Sequence, residues 1–463
     1  MRYRRHLDED ALTKLRRSFA GVFLLCGLLS AVASCSRSDG SESGADAEPG
    51  EASSPVAATA FATADSIVAE WVASERIAGA VLSVSDGRGR PLERAHGFAR
   101  LYEYGGGQYP EGTGPTRLAE PEPMTTATLF DLASVTKVMA TTMAVMLLAD
   151  RGAIDVDASV STYLPDFTGQ GRESITVSDL LTHRSGLPQW LPTYYHAGDA
   201  ASAWAYVRSR PLQWPVGEER HYSDLGFMTL GRLVASASGR GLDDFVRDEV
   251  YTPLGLSRTG FLPRDREGTA DGPFAATSHG NPFERRMVHD PDFGYRIEGD
   301  PETWDGWRRY TFLGEVNDGN AHHGFEGVAG HAGLFAPAGE LQAVLRLLLN
   351  EGEGPDGSRF VEAETVRRFL APTGDGQALG WQLPGYAPEG SFGHTGFTGT
   401  FVLGVPTRGL SLVLLTNRQN TGVDSETAYV DVGPLQRAVV AALTGGPSPR
   451  EGAGALTGDG SAR

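Results

Sequence analysis

The chain has 463 residues, 40% of them apolar, which is enough for one large domain or two to three smaller ones and excludes disorder throughout. Its net charge of −18 argues against a nucleic-acid partner, because such a partner requires a basic surface. The only two cysteines, Cys26 and Cys35, cannot build a disulfide framework or a cysteine-based zinc site.

Residues 1–35 are predicted to be a lipoprotein signal peptide. The apolar run Phe19–Val32 follows a pair of arginines and is too short to span a bilayer comfortably. It leads into small residues before Cys35, which resembles a bacterial lipobox, where the cysteine is lipidated. A plain secretory signal and an N-terminal anchor helix are the alternatives. We expect an exported cell-envelope lipoprotein, at the periplasmic or outer-membrane side or the cell surface, anchored to the membrane through its lipid.

The rest of the chain is predicted to form one domain, residues 61–445, between a flexible linker at 36–60 and a disordered tail at 446–463. Hydrophobic periodicity predicts strands near both ends of this domain and helices between them. The fold class is therefore α/β (α+β): an antiparallel sheet made from both chain ends, flanked by helices, with a helical and loop-rich insert at about 151–325. The predicted elements are helices at 63–75, 134–150, 340–350 and 434–443, strands at 79–84, 92–97, 379–383, 399–405 and 410–416, and a Gly/Pro-rich loop at 102–123.

Ser134 and Lys137 form the first chemical motif, at the start of the predicted buried helix. Residues three apart share one helix face, so the Lys137 amine can reach the Ser134 hydroxyl. An N-cap serine and a solvated lysine would give the same pattern without any chemistry. Composition favours the functional interpretation: Lys14 and Lys137 are the only lysines among 40 basic residues. Arginine cannot lose its proton, whereas a desolvated lysine can act as a base.

Two further motifs follow along the chain. Tyr222-Ser223-Asp224 precedes a predicted helix, where Ser223 or Asp224 could simply be an N-cap. His394-Thr395-Gly396 lies at the edge of a predicted strand, where its glycine permits close approach of a ligand. A hairpin corner with an exposed histidine is the alternative interpretation.

The order of the three motifs resembles the serine β-lactamase and penicillin-binding-protein family. The closest branch resembles the class C enzymes, the serine D-alanyl-D-alanine carboxypeptidases and related esterases. The resemblance covers roughly residues 63–443. It extends to four further landmarks, which are Leu180–Pro188, Pro253–Phe261, Gly327–Phe335 and Leu414–Arg418.

This resemblance implies roles for individual residues. Ser134 would be the acylated nucleophile, and Lys137 and Tyr222 would share its proton, Tyr222 then passing it to the leaving group. The backbone N–H groups of Ser134 and Phe397 would form the oxyanion hole. The residues expected to contact substrate are Asp224, His394, Thr395 and Gly396. The chemistry needs no cofactor and no metal.

Two of these positions depart from many relatives, which have asparagine at Asp224 and lysine at His394. Each change removes one unit of positive charge from the pocket at pH 7. A substrate carboxylate, which β-lactams and D-Ala-D-Ala termini both carry, should then bind less well. We therefore expect weak β-lactamase activity, unless Lys137 or a nearby arginine neutralises Asp224. His394 alone does not exclude a carboxypeptidase substrate, because the HTG motif also occurs in that branch.

The segment from His279 to His331 is also rich in His and Asp, but no pair has the HExxH-like spacing of a helical metal site. His331 is expected either to line the cleft or to pack behind it. Two functions remain open: an acyl-serine hydrolase, and a slow penicillin- or peptidoglycan-fragment-binding sensor on the same fold. The expected partners are an ester, amide or peptide substrate and peptidoglycan, with no nucleic acid, and we expect a monomer.

Overall fold

The computed structural model describes residues 58–87, 90–109, 114–292, 297 and 299–446. The predicted signal peptide, its lipidation site Cys35, most of the 36–60 linker and the 447–463 part of the tail lie outside these residues. Residues 58–60, which we assigned to the linker, belong to the first helix, α1 (Ala58–Ala73).

A six-stranded antiparallel sheet forms the centre of the domain, in the order β3-β2-β1-β11-β10-β9. The N-terminal strand β1 pairs directly with the C-terminal strand β11, with Val81 opposite Leu415. This pairing confirms that the sheet is built from both ends of the chain. The strand bounds are β1 (Gly79–Ser85), β2 (Leu92–Glu103), β3 (Thr116–Pro123), β9 (Phe392–Gly396), β10 (Thr400–Val405) and β11 (Leu410–Thr416).

One face of the sheet is covered by α1 and the last helix, α10 (Gly433–Thr444). Because side chains alternate along a strand, Ala80, Leu82 and Val84 of β1 all point to this face. They pack with apolar residues of both helices, including Trp71 and Val439. This layer is mainly hydrophobic and lies on the opposite side of the sheet from the Ser134 helix.

The other face packs against the helical region that begins with Ser134 and against α8 (Ala338–Leu349). Within the described residues, Ala133–Asp150 is the one helical stretch long and apolar enough to cross a membrane, but 83% of it is buried inside the domain. It is therefore packed as a core helix, as its sequence predicted.

The insert holds several helices, one small sheet and one strand of a second small sheet, whose other two strands flank the insert in sequence. One sheet has the order β4-β8-β5, and β6 pairs with β7. The helices are α3 (Val177–Leu181), α4 (Ala200–Ser209), α5 (Asp224–Ser238), α6 (Leu242–Val246) and α7 (Pro282–His289). The strands are β4 (Phe130–Asp131), β5 (Gly260–Phe261), β6 (Ala276–His279), β7 (Thr311–Leu313) and β8 (Leu334–Ala336), and α9 (Ala363–Leu370) follows α8.

Three elements predicted from the sequence differ from those in the structure. The segment 102–123 is not wholly a loop, because its second half forms the edge strand β3. The predicted strand at 379–383 is wrong: only Gln382 pairs, as an isolated bridge to Gly393. The helix from Ser134 is not uniform, since a 3-10 turn and a π-helical stretch, Lys137–Thr142, precede α2 (Met143–Asp150).

Candidate active site

The fully buried Lys137 ammonium lies at the centre of the candidate site. Its Nζ is 3.0 Å from Ser134 Oγ, 3.1 Å from the main-chain oxygen of His331 and 2.8 Å from Asp224 Oδ1. The structure thus brings the first two motifs together through one side chain. Because the lysine side chain is 0% exposed, water does not compete for its ammonium group, and these three oxygens fix the position of Nζ.

Ser134 is presented by a constrained turn. The preceding residue, Ala133, has a φ of 45°, a left-handed conformation that is uncommon for alanine. The buried Asp131 carboxylate holds this turn, accepting the Ala133 N–H at 2.9 Å and the Asn317 N–H at 2.6 Å. Burial raises the pKa of Asp131 to about 6, against the lowering effect of these two N–H groups. Asp131 therefore ties the Ser134 turn to the insert.

Tyr222 lies beside the lysine, at the start of α5. Its ring centroid is 4.9 Å from Lys137 Nζ. The next residue, Ser223, is the N-cap, and its hydroxyl accepts the Gly226 N–H at 3.1 Å. Both interpretations of this motif therefore apply, because Ser223 caps the helix while its neighbours Tyr222 and Asp224 reach Lys137.

The edge strand β9 approaches the Ser134 turn closely. A Cβ atom at Gly396 would lie 2.4 Å from the main-chain oxygen of Leu132, so only glycine fits there. Two threonine hydroxyls fasten this contact: Thr398 donates to Asp131 O at 2.7 Å and Thr400 to Leu132 O at 2.8 Å. Phe397, the predicted oxyanion-hole residue, lies between Gly396 and Thr398 and thus beside the Ser134 turn.

His394 is buried, with 1% exposure, and its ring centroid is 6.2 Å from that of Tyr222. Its Nδ1 donates to the Thr395 carbonyl at 2.7 Å, which leaves Nε2 as the unprotonated nitrogen. Burial, together with the charge of Lys137, lowers the pKa of His394 to about 3, so the ring is neutral at pH 7. Thr395 is half-buried and, by strand alternation, points to the opposite face from His394.

The charge state of Lys137 follows from its neighbours. Burial by itself lowers the pKa of Lys137, but the Asp224 carboxylate and the Tyr222 phenol more than offset this and hold it above its usual value. The lysine is therefore an ammonium at neutral pH, paired with Asp224. The ion pair is neutral as a unit, so Asp224 adds no uncompensated negative charge.

His331 packs behind the lysine. It is 1% exposed, and its Nε2 lies 2.9 Å from Asp318 Oδ1. One ligand-type atom from each of Asp224, Asp318 and His331 lies within 4.8 Å of the others, a set of groups that could bind a metal. All three groups already have partners, since Asp224 pairs with Lys137 and His331 with Asp318.

The other four histidines of that segment contact other groups. The two ring nitrogens of His279 bond to Thr311 and Asn420, and the His323 ring packs edge-on against Trp304. His289 lies 3.4 Å from Glu302, and His322 lies 3.8 Å from Glu315.

Sequence reasoning missed Asp131, Asp318 and His183 as parts of this site. Asp131 could have been suspected as a short acidic residue three positions before the serine. Asp318 lies in the His- and Asp-rich segment that was considered for a metal site, and its contact with His331 depends on the tertiary fold. His183 lies in the family landmark Leu180–Pro188, but nothing in that segment indicates that its ring packs on Tyr222.

Comparison with known proteins places this geometry in a family. Residues 64–433 match the Beta-lactamase family. The chain therefore belongs to this family, as its three motifs predicted.

Individual relatives differ in their reactions. The chain is 34% identical over 371 residues to an "N-acetylmuramyl-L-alanine amidase" of Bacillus subtilis, covering 74% of this chain and 78% of the amidase. It is 31% identical over 356 residues to a "Putative D-alanyl-D-alanine carboxypeptidase" of Escherichia coli, covering 71% and 76% of the two chains. Its fold is similar to that of a family VIII carboxylesterase, with a TM-score of 0.59, 19% identity and coverage of 84% and 98%. Amidase, carboxypeptidase and esterase are all hydrolases.

Proposed function

We propose that the protein is an acyl-serine hydrolase that cleaves an ester, amide or D-amino-acid peptide bond through an acyl-enzyme on Ser134. The observation that carries this proposal is the 3.0 Å contact between Ser134 Oγ and the Nζ of Lys137, a fully buried lysine that is also paired with Asp224. A lysine needed only for charge would not have to lie against a hydroxyl. Its burial and contact instead suit a group that exchanges a proton with Ser134.

In the proposed reaction, the amine form of Lys137 accepts the Ser134 proton as Oγ attacks the carbonyl carbon. Tyr222 passes a proton to the leaving group and is reprotonated by Lys137, so the proton count balances. Water then releases the acyl group from Ser134 and restores the hydroxyl. Because the pKa of Lys137 is raised, the amine form becomes more populated as pH rises, and acylation should be faster in alkaline solution.

The oxyanion is assigned to the backbone N–H groups of Ser134 and Phe397. Support comes from the close packing of Gly396 on Leu132, which puts the end of β9 against the serine turn. Donors fixed by the backbone need no rearrangement when charge develops on the carbonyl oxygen.

The proposed substrates are peptidoglycan peptides or small esters and amides of the cell envelope. Relatives with at least 30% identity carry amidase and carboxypeptidase names, which favours an amide or peptide bond. In the pocket, Lys137 is neutralised by Asp224 and His394 is uncharged, so neither offers a free cation to a substrate carboxylate. We therefore expect slow turnover of nitrocefin compared with uncharged esters, and efficient nitrocefin hydrolysis would contradict this charge argument.

The second candidate is a sensor that is acylated but deacylates slowly. The Lys137–Asp224 ion pair favours the sensor, because it keeps Lys137 as an ammonium, which is a poor base at neutral pH. A panel of p-nitrophenyl esters and D-amino-acid peptides separates the two functions, with Ser134→Ala as the control. Turnover that requires Ser134 supports the hydrolase, whereas stoichiometric labelling by a penicillin or fluorophosphonate probe without turnover supports the sensor.

A further inference from the structure

His183 is a buried side chain of the site to which the proposed mechanism gives no role. It is 1% exposed and has a left-handed backbone with a φ of 59°. This conformation is unusual for a residue other than glycine, although histidine, asparagine and aspartate tolerate it better than most. Its main-chain oxygen accepts the His221 N–H at 2.8 Å, next to Tyr222. The backbone at His183 is therefore joined to the segment that carries the tyrosine.

The imidazole makes a second contact with that segment. Its Nδ1 lies 3.0 Å from the backbone nitrogen of Ser223 and accepts that N–H. A backbone N–H is always a donor, so Nδ1 must be unprotonated and the proton of the neutral ring must be on Nε2. The bond thus requires one tautomer and the uncharged form of His183.

The ring also packs directly on the tyrosine. The His183 and Tyr222 centroids are 4.4 Å apart with planes at 34°, and Lys137 Nζ is 4.9 Å from the Tyr222 ring. Tyr222 is therefore held by His183 and lies beside the lysine.

Burial lowers the pKa of His183 well below its usual value, and the nearby charges of Arg220 and Lys137 act in the same direction. His183 therefore stays neutral. A protonated ring would lose the Ser223 bond and place a second positive charge near Lys137.

We propose that His183 is a positioning residue that holds the Tyr222 phenol in place for proton transfer to the leaving group. It does so through two separable contacts, the hydrogen bond from the Ser223 N–H and the packing of its ring against the Tyr222 ring. This inference rests on the proposed function, since it assigns His183 a role in the same reaction.

Two substitutions separate these contacts. His183→Asn keeps an acceptor near the position of Nδ1 and tolerates the left-handed backbone, but it removes the ring. His183→Phe keeps a ring against Tyr222 but leaves the Ser223 N–H without its partner. A matched control is His279→Asn, because His279 is also 1% exposed and its two nitrogens bond to Thr311 and Asn420 instead.

The test compares p-nitrophenyl acetate with phenyl acetate. The p-nitrophenolate group leaves without protonation, whereas the more basic phenolate depends more on a proton from Tyr222. We expect both His183 variants to lower kcat/KM, which reports acylation, for phenyl acetate by about tenfold more than kcat/KM for p-nitrophenyl acetate, with thermal unfolding measured alongside. The His279→Asn control should keep the wild-type ratio of the two rates.

Equal losses on both esters, or no loss, in a folded His183 variant would overturn the inference and leave the hydrolase proposal standing. Wild-type protein that hydrolyses neither ester and shows no acylation of Ser134 would overturn both.

Discussion

The two faces of the central sheet are built from alternate residues of the same strands, yet they differ in the polarity of the side chains that they bury. On the α1 and α10 face, Leu82 and Phe401 pack in a mainly apolar layer. On the other face, β1 and β11 also carry buried polar groups. The Gln342 amide N–H donates to Ser83 O at 2.9 Å, and the Gln342 amide oxygen accepts the Ser411 hydroxyl at 2.5 Å. The catalytic candidates lie on this second side. The difference shows that one face contributes mainly stability, whereas the other also holds fixed polar groups that can do chemistry.

The largest expected effect is on the polar face. Lys137→Arg keeps the positive charge but removes the group that can give up a proton, so ester turnover should fall by about 10³-fold or more. Steady-state kinetics measure the loss, and circular dichroism with thermal unfolding checks that the variant is folded. A folded Lys137→Arg enzyme with substantial activity would contradict the role given to this lysine.

The apolar face should respond in the opposite way. Phe401 is 1% exposed, and Phe401→Ala should lower the free energy of unfolding by about 3–5 kcal/mol through lost packing and a residual cavity. Urea unfolding measures this loss, while kcat per folded molecule should be unchanged. A fall in kcat similar to that of a polar-face variant would show that the two faces are not separable in function.

A smaller effect is expected at Asp224. Its carboxylate raises the pKa of Lys137, so Asp224→Asn should lower that pKa and populate the amine at lower pH. The acid limb of the pH–rate profile should therefore move to lower pH, by roughly one to two units. The exposed Asp157, which pairs with Arg368 at 2.7 Å, supplies the control Asp157→Asn, which should leave the profile in place. If the acid limb of the Asp224→Asn profile moved to higher pH instead, Asp224 could not be the group that raises the pKa of Lys137.

Much of the frame could be predicted because its signals are local. Strand β11 coincides with the predicted 410–416 segment, since an apolar run bounded by turns specifies it. The contact of Ser134 with Lys137 follows from a spacing of three residues in a helical turn. The order of the three motifs pointed to the family that the whole-chain comparison shows.

What could not be predicted depends on residues far apart in sequence. The Lys137–Asp224 ion pair joins two motifs. The sequence offered it only as one possibility, and the pair sets the charge of the pocket because each residue neutralises the other. The edge strand β3 lies in a Gly/Pro-rich segment whose pairing with β2 is irregular. The burial of His394 arises from neighbouring elements that strand periodicity does not reveal.

The most direct test of the account is mass spectrometry of the intact protein and its peptides during turnover of a p-nitrophenyl ester. The account predicts a transient acyl adduct that maps to the peptide containing Ser134, and it predicts no adduct in Ser134→Ala. An adduct on another residue, or full turnover by Ser134→Ala, would contradict it.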